Sequence, residues 1–215
     1  MGNVSRKEVN ERVARAEKTK SLTLSNHKDL TELPKSVLTL KDLRTLNIND
    51  NGFKQVGSLE VFGDLRNLSL SGNPLGTLSA EPAWWNKFSK LETLALDRCQ
   101  LTSVSVHIFT LPALKSLNLS NNRLRKVEFP TELKTSRLDV LDLSRNSIEA
   151  IPDSVGSLSR LKEINLDNNQ VTTLPDVFGG FSSLVLLQIR HNQLVSLPVS
   201  LLRDSTLCSL LMENN

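Results

Sequence analysis

The chain has 215 residues, a formal net charge of +3, 39% hydrophobic residues, 4% aromatic residues and no tyrosine. A core with so few rings must be aliphatic, and charges of both signs spread along the chain exclude the clustered basic stripe that nucleic acid requires. Only two cysteines, Cys99 and Cys208, no apolar h-region at the start and no apolar run near the ~20 residues of a membrane span argue for a reducing, cytoplasmic compartment.

Residues 1–20 differ from the rest. Val9, Val13 and Ala16 fall at helical spacing among Arg6, Lys7, Glu8, Glu11, Arg12, Arg15 and Glu17, which predicts one amphipathic helix over 4–18. Its expected role is to cap the apolar layer that follows, because a terminal unit needs a polar outer face. Met1-Gly2-Asn3 raises a lipid question. N-myristoylation needs Gly2 exposed after Met removal, with Ser or Thr usual at the sixth position, where Arg6 stands here. Arg6, Lys7, Arg12, Arg15, Lys18 and Lys20 crowd the same end and could supply the second membrane signal that one acyl chain needs. Gly2 is therefore a lipidation candidate beside the alternative of a plain cytosolic N-terminus.

Residues 21–215 repeat. The clearest unit runs Leu138, Leu141, Leu143, Asn146, Ile148 and Ile151, and its register returns at Leu43, Leu65, Leu91, Leu114, Leu161, Leu184 and Leu207, a period of roughly 23 residues. About nine units are expected, the first irregular at Leu30 and the last incomplete at Asn215. This periodicity predicts an α/β leucine-rich-repeat solenoid, a horseshoe with a parallel concave sheet and an N-terminal helical cap. A Leu-x-Leu pair puts both leucines on one face of a short strand. After each strand the chain must turn, and the buried polar groups of the turn need partners. An asparagine amide both donates and accepts, so Asn51, Asn73, Asn122, Asn146, Asn169 and Asn192 are expected to form a structural ladder. Cys99 stands at the same place in the fourth unit and is read as structural rather than reactive.

The return segments carry Val37-Leu38, Val61-Phe62, Ile108-Phe109, Val155 and Val177-Phe178, which should fill the convex side. Pro34, Pro152, Pro175 and Pro198 each follow Leu or Ile and stop the strand direction from continuing. One unit is long, with Trp84, Trp85 and Phe88 between Leu78 and Leu91. It is read as a bulkier convex turn with one tryptophan and Phe88 in the core, the alternative being an exposed aromatic anchor.

Three columns of residues are expected to face the concave groove. The first reads Thr23, Asn47, Ser69, Ala95, Asn118, Asp142, Asn165, Gln188; the second ends in Ser144, Asp167, Arg190; the third ends in Arg145, Asn168, His191. The N-terminal half is small and polar, and charge gathers in the C-terminal half. Asp97, Arg98, Asp142, Arg145, Glu163, Asp167, Arg190 and His191 are the candidate partner-binding residues. His27, His107 and His191 lie in different units, no metal-ligand or nucleophile spacing is present, and no phosphate-cradling glycine motif occurs, so neither enzyme chemistry, metal nor cofactor is expected.

The Leu-Pro endings, the Met-Gly-Asn start, Ala16–Thr19, Asp29–Pro34, the stretch from Arg137 to Gly156 and the stretch from Leu197 to Ser205 resemble intracellular leucine-rich-repeat proteins. That class includes Ras suppressor and scaffold proteins. The resemblance implies a monomeric, non-enzymatic adaptor in intracellular signalling whose protein partner is a small GTPase or a phosphatase, with peripheral membrane contact through Gly2. Two departures bear on it. Arg6 weakens the lipid motif, and the resembling proteins continue past the ninth repeat into a charged segment. A regulatory module of a larger protein and a structural or cytoskeletal interaction protein stand as alternative readings.

Overall fold

The computed structural model describes residues 5–78, 82–131, 136–203 and 206–215; Gly2 lies outside the described residues. Helix α1 spans Arg6–Thr19. Ser5 caps it by accepting from the Glu8 N–H at 3.1 Å, and Lys20 ends it in the left-handed conformation with its N–H on the Ala16 carbonyl. Val9, Val13 and Ala16 are buried against the first unit, which keeps its leucine layer from water. Bringing these side chains out of water contributes about 1–3 kcal/mol for each valine.

Nine three-residue strands follow. They are β1 (Ser21–Thr23), β2 (Thr45–Asn47), β3 (Asn67–Ser69), β4 (Thr93–Ala95), β5 (Ser116–Asn118), β6 (Val140–Asp142), β7 (Glu163–Asn165), β8 (Leu186–Gln188) and β9 (Ser209–Leu211). Every neighbour pairs in parallel and in chain order. The register aligns Leu22, Leu46, Leu68, Leu94, Leu117, Leu141, Ile164, Leu187 and Leu210 in one row. All but Leu210 are buried. The flanking residues of each strand point to the opposite, concave face, as a period of two requires.

The convex side returns through short helices. Short 3-10 helices of three to five residues occupy Val37–Thr39, Gly57–Val61, Asn86–Phe88, Val106–Thr110, Asp153–Ser157 and Asp176–Gly180, while short α-helices occupy α2 (Pro82–Trp85) and α3 (Val199–Arg203). The prolines act where expected: Pro152 and Pro175 cap the two turns that follow them. Val37, Phe62, Ile108, Phe109, Val155 and Phe178 are buried, whereas Val61 is exposed, because only one of the two apolar residues in that turn faces inward. In the long unit both tryptophans are buried, not one. Trp84 stacks edge-on against Trp85 and Phe88, each with ring centroids at 4.8 Å.

The ladder runs through the whole solenoid. Each asparagine amide bridges two carbonyls, one from its own unit and one from the unit before. Asn146 donates to Leu143 and Leu119 at 2.9 and 3.0 Å, and Asn169 donates to Leu166 and Leu143, both at 3.0 Å. The side-chain oxygens accept backbone N–H groups of the preceding unit: Leu124 on Asn146, Ile148 on Asn169, Val171 on Asn192. Asn215 extends the ladder to the ninth unit, donating to Ile189 at 2.9 Å and accepting from Leu194. His27 holds the equivalent place in the first unit, three residues after Leu24. Both of its ring nitrogens are buried and lack a hydrogen-bond partner.

Replacing Asn169 by Ala removes a donor pair from two carbonyls and leaves the Ile148 N–H buried without an acceptor. The expected loss of stability is about 2–3 kcal/mol, read as a lower midpoint in urea denaturation, with no change in the far-ultraviolet circular dichroism of the folded chain.

Candidate functional site

Three residues lie between each strand and the ladder position, a core leucine or isoleucine (Met212 in the ninth unit) and then two more, and these last two decide what the concave rim presents. The residue immediately before the ladder is left-handed in every unit. Asn26, Asp50, Gly72, Arg98, Asn121, Arg145, Asn168, His191 and Asn214 have φ between 53° and 73°. The third column therefore lies in a turn at the edge of the sheet, not on a strand, which corrects its assignment. The left-handed state costs an ordinary L-residue about 1–2 kcal/mol and suits Gly, Asn and Asp best. Six of the nine positions carry those types; Arg98, Arg145 and His191 do not.

The second column turns inward. Ser71, Ser120, Ser144 and Asp167 are buried beside the ladder. The first column supports it from the strand. Asn47, Asn118, Asp142 and Asn165 each accept the backbone N–H two residues on, from Asn49, Ser120, Ser144 and Asp167, at 2.9–3.1 Å. Gln188 in the eighth unit makes no such bond. Instead Asp167, one rung back, accepts the Arg190 N–H at 2.7 Å and takes the Arg190 guanidinium through Nε and Nη2 at 2.9 and 2.6 Å. This pair raises the Arg190 pKa through the Asp167 hydrogen bond first and its charge second. Asp167 is thus a structural carboxylate, 6% exposed, and Arg190 is tied to it while its side chain remains 38% exposed.

Asp97 and Arg98 form a second knot. Asp97 accepts from the Ser71 hydroxyl and from Arg98 Nε, and Arg98 Nη1 reaches Asp50 at 3.3 Å. That reach spans two rungs because the residue between is Gly72. A Cβ there would lie 2.2 Å from the Asp50 Oδ1 atom. Both contacts raise the Arg98 pKa, Asp97 through its hydrogen bond first and Asp50 through its charge next.

The remaining candidates are uncommitted. Arg145 and Glu163 are exposed and form no ion pair among the described residues, and His191 is exposed at the rim. Asp142 is half-buried, with one carboxylate oxygen on the Ser144 N–H. Glu163 sits at the head of β7, in register with Val140 on β6 and Leu186 on β8, both half-buried on the same face. These apolar neighbours escaped the sequence reading. The strand-head column Ser21, Thr45, Asn67, Thr93, Ser116, Val140, Glu163, Leu186 and Ser209 would have shown them. The structure thus gathers Asp142, Arg145, Glu163 and His191 around β6–β8 and sets Asp97 and Arg98 two rungs away.

Cys99 replaces a ladder asparagine and is buried. Its thiol contacts the Leu70 carbonyl at 3.2 Å. A thiol offers little as an acceptor, so the Leu75 N–H turns to the Asn73 carbonyl at 2.8 Å, while Asn122 accepts from both Cys99 and Leu101. Burial pushes the Cys99 thiol up to about 12. Among the described residues no group of His, Cys, Asp and Glu is placed to hold a metal ion, and no helix is long and apolar enough to cross a membrane.

The family model described as leucine rich repeat matches residues 89–129 and 136–194. Over 125 residues the chain is 35% identical to the probable inactive serine/threonine-protein kinase roco10 of Dictyostelium discoideum, covering 56% of this chain and 5% of that protein. Over 118 residues it is 36% identical to leucine-rich repeat-containing protein 58 of Xenopus tropicalis, covering 55% of this chain and 32% of that protein. The chain therefore spans about a third or less of these curated relatives. Among solved structures, internalin C2 of Listeria monocytogenes superposes with a TM-score of 0.75 at 21% identity, over 93% of this chain and 83% of that one, a likeness of fold alone.

Two outcomes check the roles given to these side chains. Arg190→Ala leaves the Asp167 carboxylate buried without its cation and should lower the urea midpoint, whereas Asp167→Asn with Arg190 retained should lower it less. At pH 8 a thiol reagent should modify Cys208 rapidly and Cys99 only after urea is added, since the thiolate is the reacting form. The Cys99 thiol stays protonated in the folded chain to about pH 12 but ionises near 9.0 once unfolded, so its contribution to stability declines as pH rises between those values.

Proposed function

We propose, on the premise that this chain belongs to the leucine-rich-repeat family, that it is a non-enzymatic protein-binding scaffold which engages its partner along the rim beside β6–β8. The observation that carries this reading is Arg145. It occupies a left-handed position that Asn121 and Asn168 fill at lower cost on either side, and it gains no ion pair among the described residues in return. Strain of this kind, uncompensated internally, marks residues held for an external contact. Glu163 adds a free carboxylate between two apolar side chains, so the face offers both signs of charge within a few strand spacings of ~4.8 Å.

The finer reading is an adaptor in intracellular signalling. Its support is the resemblance of the Leu-Pro-ending repeats to scaffold proteins that touch small GTPases and phosphatases, and a partner of that kind is the expectation. Cytoplasmic residence with peripheral membrane contact through an acylated Gly2 belongs to the same reading, as does a monomeric state. A second reading, a regulatory repeat module of a longer protein, is favoured by the small share of the relatives that the chain spans.

Replacing Arg145 by Asn and Glu163 by Lys tests the site. The Arg145→Asn change removes the strain, so the urea midpoint should stay or rise by an amount equivalent to about 1 kcal/mol. Affinity capture from cell lysate by the double variant should lose the partners held by the native chain, with a small GTPase or phosphatase among those lost. Retention of every partner by the folded double variant would place the binding surface elsewhere.

A further inference from the structure

The junction of α1 with β1 forms a cleft of about 370 Å³ lined by Arg12, Arg15, Thr19, Ser21, Leu22 and Thr23. Ser21 and Thr23 are the two concave-facing residues of β1, so the cleft opens onto the concave sheet. Arg12 is fixed within it. Its Nη1 donates to the Thr23 carbonyl at 2.7 Å and its Nη2 to Glu8 at 2.6 Å. Those bonds use two of the five donors of a guanidinium and orient the rest. Arg15, one turn on and exposed, forms no ion pair among the described residues. Three hydroxyls, from Thr19, Ser21 and Thr23, complete the lining.

Two guanidiniums and the hydroxyls of Ser21 and Thr23 suit an oxyanion with several acceptor atoms, the Thr19 hydroxyl being directed at the Arg15 and Ser21 carbonyls. The carbonyl end of α1 would oppose an anion, but it is largely quenched. The Arg15 carbonyl receives the Thr19 hydroxyl, Ala16 receives the Lys20 N–H, and Glu17 receives Lys20 Nζ. From the cleft the concave face continues without charge through Thr45, Asn47, Asn67, Ser69, Thr93, Ala95, Ser116 and Asn118. Such a face can lie against an extended polypeptide without imposing a charge sequence on it.

We propose that this cleft binds the phosphate of a phosphorylated serine or threonine in a protein segment lying along the concave face of β1–β5. A phosphate monoester carries a charge near −2 and three terminal oxygens, so it matches both arginines and the hydroxyls with more charge and more acceptor sites than a carboxylate brings. The recessed position beside the sheet suits a chain segment better than a flat bilayer surface. This inference rests on the reading of the concave side as the binding side, but it uses different residues from those at β6–β8.

The test is a titration of the full chain with the peptide Ala-phosphoSer-Ala and with its unphosphorylated form, followed by amide and arginine Nε resonances. Saturable shifts confined to Arg12, Arg15, Thr19, Ser21 and Thr23 are expected with the phosphorylated peptide. They should weaken at least tenfold in Arg15→Ala, whose exposed mid-helix alanine preserves α1. Equal binding of the unphosphorylated peptide, shifts unaffected by Arg15→Ala, absence of saturation, or binding to phosphoinositide vesicles without binding to the peptide would each overturn it. If the peptide fails while partner capture still depends on Arg145 and Glu163, only this inference falls. If the peptide binds while capture is indifferent to Arg145 and Glu163, the cleft stands and the rim reading falls.

Discussion

Burying the turn that follows each strand is the constraint on which this structure depends. A parallel sheet built from three-residue strands must reverse direction every few residues, and each reversal strands carbonyls and N–H groups away from water. The asparagine ladder meets that need with one side chain in seven of the nine units, His27 and Cys99 standing at its place in the first and fourth. Each amide ties its own turn to the unit before, so that Leu119, Leu143, Leu166 and Ile189 carbonyls each receive two amide donors. The same side chains that satisfy local groups therefore set the stacking distance of the whole solenoid. Leucine burial supplies the larger driving force, but it is indifferent to direction; the ladder fixes the register.

That constraint also decides which surface is free to function. A left-handed residue stands just before the ladder position in each unit, and the side chain of that residue is thrown to the rim. The column before it is drawn inward to brace the turn. Charge on the inner column is consequently structural, as Asp167 shows, while charge on the rim is available. A charged residue on the concave side has a role set by its distance from the ladder, one residue away for the rim and two for the brace. Arg98 and Arg145 share the rim geometry but differ in use. Arg98 is held by Asp97 and Asp50, and Arg145 forms no ion pair among the described residues.

The repeat, the buried leucine row, the cap helix and six of the ladder asparagines were legible in the sequence because all depend on fixed spacing. What spacing alone did not convey was the direction of the two columns after the strand. A signal existed: Asn26, Asp50, Gly72, Asn121 and Asn168 are the residue types that tolerate a positive φ, and their recurrence at one position marks a turn rather than a strand. The place of His27 in the ladder was hidden by the late Leu30, although the interval of three from Leu24 is kept. The burial of both tryptophans was not legible, since their spacing of one residue in a short helix allows only one inward face, and it is their edge-on stacking that brings both under cover. The apolar neighbours of Glu163 stand in the strand-head column of the repeat, whereas the cleft beneath α1 depends on how the helix packs, which a linear pattern does not contain.

On the proposed reading, binding belongs to the concave side and its rim, while the convex turns only close the core. Side-chain hydroxyl-radical footprinting of the chain in complex with a captured partner tests it directly. Protection concentrated on concave and rim positions such as Val140, Leu186 and His191, with Val61, Val195 and Leu202 still reactive, is the predicted result. Protection confined to those convex and terminal side chains, with the rim unchanged, would contradict it.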